Sequence, residues 1–120
     1  MDEGEREALI LLAYLLVQHG RLEKAETLLA ALAEVFPQDR QAPRLLADCL
    51  LKRKKYQEAL EVAAGLCNSG LEPAESRMAE LFRAQALWGL ISEGGDFKAE
   101  LDASLEAYLK LTEETGRTDS

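Results

Sequence analysis

A chain of 120 residues holds one domain with a real core, not two ordinary domains and a linker. Apolar residues make up 48 % of it but aromatics only 6 %, so the core must be built from Leu and Ala, and an all-α fold is expected. The net charge of −8, spread as −5 over residues 1–39, +2 over 40–72 and −5 over 73–120, works against nucleic acid and anionic membranes as partners.

The first expected helix covers residues 5–19. Its approach, Met1-Asp2-Glu3-Gly4-Glu5, is acidic where a secretory signal is basic, and the apolar run Ala8 to Val17 is too short to cross a bilayer. A cytoplasmic protein without membrane insertion is expected. The single histidine, His19, falls in the last turn, where an imidazole suits the helix dipole; with no spaced Cys, His or carboxylate cluster around it, no metal site is expected. Gly20 can take the left-handed conformation that ends a helix.

The second helix is expected over 22–36, the third over 41–53 and the fourth over 56–68. The basic run Lys52-Arg53-Lys54-Lys55 lies at the end of the third helix and in the turn after it, so it reads as a solvated cap before it reads as a docking patch for an acidic partner. Cys49 and Cys67 fall inside apolar runs and are expected to be reduced and shielded, although two thiols are also enough for one disulfide. A fifth helix over 73–92 opens on Pro73 and carries Met78, Leu81, Phe82, Leu87, Trp88 and Ile91. The turn Ser92-Glu93-Gly94-Gly95-Asp96 is flanked by acids that would repel phosphate. The last helix, 97–115, has Leu101, Leu105, Tyr108, Leu109 and Leu111 on its apolar side. Glu100, Asp102, Glu106, Glu113 and Glu114 form its wet face.

Sliding the chain by 34 residues pairs Leu12 with Leu46, Ala13 with Ala47 and Leu16 with Leu50. The same shift pairs Leu22 with Tyr56, Ala25 with Ala59 and Leu28 with Val62. With Gly20 and Pro37 in the first unit and Lys54 in the second, this pattern resembles the tetratricopeptide repeat. The resemblance implies one domain over 1–120, an α-solenoid of about three helix hairpins over 6–39, 40–72 and 73–115. The third is degenerate: setting Ala103-Ser104 against Ala25 and Ala59 needs several inserted residues.

In that family the first helix of each hairpin lines a concave groove that binds protein segments. Carried onto this chain, the resemblance implies a partner-binding set of Glu7, Ile10, Tyr14, Val17 and Gln18, then Gln41, Arg44, Asp48, Leu51 and Lys52, then Phe82, Gln85 and Gly89. Apolar residues with a few fixed charges suit an amphipathic helix or an extended segment.

The opening Leu9-Ile10-Leu11-Leu12-Ala13-Tyr14-Leu15-Leu16, then His19-Gly20-Arg21 and Ala25-Glu26-Thr27-Leu28-Leu29, resemble the small type III secretion chaperones of Gram-negative bacteria, the YscY-type group foremost. That resemblance implies a cytoplasmic bacterial chaperone that keeps a small secreted or secretion-apparatus protein soluble, with no cofactor, no nucleotide and no enzymatic step. The alternative is an adaptor or scaffold that binds its own copies, as in a homodimer without cargo.

Overall fold

Leu- and Ala-rich apolar stripes at helical spacing produce six helices among the described residues: α1 (Glu3–Gln18), α2 (Leu22–Val35), α3 (Gln41–Lys52), α4 (Tyr56–Cys67), α5 (Pro73–Ser92) and α6 (Lys98–Thr118). The structure is a computed structural model and describes residues 2–68 and 72–118, with side chains through Glu113; the side chain of Glu114 lies outside the described residues. α1 begins two residues before the expected start because the Asp2 carboxylate accepts from the Glu5 N–H at 2.8 Å and caps the helix there. α6 continues to Thr118, past its expected end at 115.

The first helix of each hairpin ends in one hydrogen-bond pattern. At the end of α1, His19 N–H donates to Leu15 O (3.0 Å), Gly20 N–H to Val17 O (3.1 Å) and Arg21 N–H to Leu16 O (2.8 Å). Arg53, Lys54 and Lys55 donate in the same way to Cys49, Leu51 and Leu50, and Glu93, Gly94 and Gly95 to Gly89, Ile91 and Leu90. The middle residue of each trio is left-handed, with φ of 76° at Gly20, 62° at Lys54 and 99° at Gly94. These residues lie 34 and then 40 positions apart, so the third hairpin keeps the turn of the other two in a shifted register.

The second helices then start with Ala25 N–H on Arg21 O, Ala59 N–H on Lys55 O and Leu101 N–H on Phe97 O. Leu101, not Ala103-Ser104, therefore stands where Ala25 and Ala59 stand, which corrects the expected alignment. The extra residues fall at the start of α5, which has 20 residues against 12 in α3, and in the turn before α6.

Each helix packs on the next, and α3 also touches both α1 and α5, whereas among the described residues α2 does not meet α4 and α4 does not meet α6. First helices in contact and second helices apart make a curved stack with α1, α3 and α5 on its inner side. A depression of about 350 Å³ lined in part by Ala33, Pro43, Val62 and Gly65 marks the gap on the outer side. The molecule measures 40 × 39 × 23 Å; its thin dimension is about two helix diameters of ~10–12 Å each.

Ala13, Ala25, Ala47 and Ala59 are 0–1 % exposed, and their lack of bulk lets the helices of the first two hairpins approach closely around Leu29, Leu32 and Leu50. The third hairpin is joined differently. Ser104 is fully buried and its hydroxyl is shared between Glu80 Oε2 (2.7 Å) and Glu80 O (3.1 Å). Between α4 and α5 the ring of Tyr56 lies where a Cβ on Gly89 would be, so Gly89 belongs to helix packing and not to the groove surface.

Cys49 and Cys67 are both free thiols. Cys49 is buried and donates to Leu22 O at 3.2 Å, while Cys67 is half-buried. Burial first, then its hydrogen bond to Glu80 and that carboxylate's charge, push the Cys67 thiol up to about 12.

Candidate partner-binding groove

The inner side of the first two hairpins is held open by a polar tie between α1 and the start of α3. Arg6 Nη1 donates to Asp39 Oδ1 (2.9 Å) and Gln41 Oε1 (3.2 Å), while its other nitrogens bind Glu3 Oε1. Asp39 in turn accepts from the N–H groups of Gln41 (3.3 Å) and Ala42 (3.1 Å), which caps α3. One carboxylate thus fixes both the first turn of α3 and its distance from α1. The Arg6 guanidinium is held protonated, its pKa raised first by the Glu3 hydrogen bond and further by the charges of Asp39 and Glu3.

Past this tie a depression of about 500 Å³ runs between α1 and α3, lined by Arg6, Glu7, Ile10, Leu11, Tyr14, Gln41, Arg44 and Leu45. Of the expected set, Glu7, Ile10, Tyr14, Gln41 and Arg44 come together here. Tyr14 is 46 % exposed, and Ile10 is half-buried with its inner side against the core. Arg44 is exposed and, among the described residues, its side chain has no ion-pair partner. Lys52, by contrast, pairs with Asp48 at 3.1 Å. The floor therefore combines apolar surface with one uncommitted cation.

The remaining expected residues are placed less uniformly. Gln18 is exposed at the end of α1, and Leu51 is half-buried and packs against the core cluster. Val17 is only 6 % exposed and belongs to that core, a correction: it points between α1 and its neighbours and offers no surface to a partner. Phe82 and Gln85 were placed by continuing the 34-residue step, but the left-handed turns put the third hairpin 40 residues on. In that register half-buried Phe82 matches the buried Ala42, whereas exposed Gln85 matches Leu45, which lines the groove.

The counterpart of Tyr14 and Asp48 is instead Trp88, 63 % exposed, the most exposed large apolar side chain among the described residues. Sequence reasoning missed Trp88 as a site residue, along with Arg6, Leu11 and Leu45. Aligning Gly94 with Gly20, instead of counting on from Pro73, would have found it.

The basic run is mostly committed. Arg53 and Lys55 each reach Glu26 at 3.0 Å, so Glu26 is part of the α2–α3 junction. Among the described residues no group of three or more His, Cys, Asp or Glu side chains is placed to hold a metal ion, and no described helix is long and apolar enough to cross a membrane. A family model described as Tetratricopeptide repeat matches residues 10–70. No curated protein matches the chain.

Proposed function

Because the chain belongs to the tetratricopeptide repeat family, whose repeats mediate protein–protein contact, we propose that its α1–α3 groove holds an apolar segment of a partner protein and fixes an acidic group on it. The observation that carries this reading is Arg44, without an ion-pair partner among the described residues, beside Ile10 and Tyr14 in one depression. An amphipathic helix laying leucines on Ile10, Leu11 and Tyr14 would bring a carboxylate within reach of the guanidinium. The neighbouring Glu7 selects against a partner that is acidic throughout. Trp88 extends the same inner side and supplies the large aromatic anchor such interfaces favour.

In its finer form the proposal is a single domain over 1–120 acting as a cytoplasmic bacterial chaperone for a small type III export substrate. What supports that form is the likeness of residues 9–16, 19–21 and 25–29 to the YscY-type group. Burial of a subunit's polymerising face in the groove would compete with its self-assembly by mass action.

The groove is tested with amphipathic peptides selected for binding to the wild-type protein. Tyr14→Ala, Arg44→Ala and Trp88→Ala should each weaken binding by about 2 kcal/mol, roughly 30-fold in Kd, with helical content unchanged. Glu61→Ala, on exposed outer surface, serves as the control. Wild-type affinity in all three groove variants would remove the inner side as the binding surface. The finer form requires that deleting the chain in its own cell deplete a small secreted subunit; unchanged levels of every such subunit would leave only the general reading.

A further inference from the structure

Along α1 runs an apolar stripe that no described element covers. Leu12 and Leu15 are 46 % and 44 % exposed and, with Leu16, His19 and Arg21, wall an open depression away from the groove. Their counterparts 34 residues on, Leu46 and Cys49, are 9 % and 0 % exposed, because α3 packs this stripe against α2. In the third hairpin the counterparts are Ala86 and Gly89, both buried where α5 meets α4. The stripe is thus the surface by which a first helix stacks on the second helix of the hairpin before it.

The far end of the stack carries the complementary surface. Leu29 of α2 and Ala63 of α4 are 0 % exposed. In the register set by Arg21, Lys55 and Phe97 their counterpart on α6 is Leu105, 42 % exposed. Half-buried Ala33 and Cys67 likewise correspond to Leu109, 60 % exposed. The charges follow the same order. Across the α2–α3 junction Glu26 binds Arg53 and Lys55; the counterparts of those cations in the turn after α1 are His19 and Arg21, and the counterpart of Glu26 on α6 is Asp102.

We propose that a second copy of the chain stacks head to tail on the first. The α1 stripe of one copy covers Leu105 and Leu109 of the other, and Arg21 pairs with Asp102. The apolar part of the contact repeats both internal junctions, and the ion pair repeats the one between α2 and α3. Because its two halves are different surfaces, it leaves a free head and a free tail after every addition and does not close at a dimer. Internal junctions form at the high effective concentration of one chain, and the same junction between chains has no such advantage, so assembly depends on concentration. It uses residues outside the partner groove and stands or falls independently of that function.

Sedimentation velocity over a concentration series tests it. The wild-type mass should rise with concentration beyond that of a dimer. Leu15→Glu, which spoils the head, and Leu109→Glu, which spoils the tail, should each be monomeric alone. Mixed together, they should form a one-to-one dimer that grows no further, since each variant keeps one working end. Asp102→Lys should weaken assembly and Arg21→Glu in the same chain should restore it. Circular dichroism checks the fold; a variant that loses helicity is replaced by Leu12→Glu or Leu105→Glu, which address the same surfaces. A wild-type protein that stays monomeric throughout overturns the proposal. So does a Leu109→Glu variant that still dimerises, which would mean pairing of α1 with α1, and so does a mixture in which no complex forms.

Discussion

Lys54 holds a φ of 62° at the position where the other two hairpins place glycine. A side chain there sits against its own carbonyl, at a cost of about 1–2 kcal/mol that glycine does not incur. Lys54→Gly should therefore stabilise the protein by about 1 kcal/mol in urea unfolding, while Gly20→Ala should destabilise it by a similar amount. Equal and opposite shifts would confirm the shared turn; a destabilised Lys54→Gly variant would mean that the Lys54 side chain contributes more than its backbone costs. The sequence placed Lys54 in this turn correctly, because the local spacing from Gly20 is enough to do so. It could not show that Glu26 binds Arg53 and Lys55, which lie 27 and 29 residues away. Val17 failed for a related reason: it stands at the edge of the apolar stripe, where a periodic pattern does not separate core from groove floor. A second prediction concerns Cys67, whose thiol is pushed up from 9.0 to about 12 when folded. The folded state then holds its proton more tightly than the unfolded state, so this contribution to stability is complete below pH 9 and lost as pH rises towards 12. Alkylation of Cys67 at pH 9 should be slow in the native protein and fast in denaturant. Fast native labelling would contradict the half-buried, Glu80-bonded thiol.

At the level of helices, the 34-residue shift was sufficient for α1 to α4 because their lengths and turns repeat. It failed for α5 and α6 because two changes overlap: α5 gains residues at its beginning and the turn after Gly94 is longer. Counting forward from Pro73 therefore displaced the groove positions, whereas counting back from the left-handed turn recovers Trp88. The contact of Tyr56 with Gly89 belongs to the same shifted register, since Tyr56 follows Leu22 and Gly89 follows Cys49, which itself bonds to Leu22 O. Gly89→Ala should push against the Tyr56 ring and destabilise the α4–α5 junction by about 1–3 kcal/mol. In a Tyr56→Ala background most of that penalty should vanish. A double-mutant cycle on thermal melts measures the coupling; additive effects would place the strain elsewhere.

The family, the curved two-layer stack and the inward place of the first helices were readable from the repeat and its resemblance, but the contacts that set the curve were not, because they depend on which helices touch across hairpins. α1, α3 and α5 already meet along the inner side, while among the described residues α2, α4 and α6 stand apart on the outer side. Such a stack is stiff in one sense of bending and compliant in the other: tightening the curve compresses close-packed helices, whereas flattening it only closes empty space. The groove therefore behaves as a gauge of fixed minimum width and not as a jaw. It discriminates by the thickness of what is laid in it, accepting a broad segment by relaxing outward and gripping a thin one no harder. Spin labels on exposed positions of α1 and α5 should move together by no more than about 1 Å when a peptide binds, the small displacement typical of preorganised interfaces. Approach by several ångströms would show instead that the inner helices close around their partner.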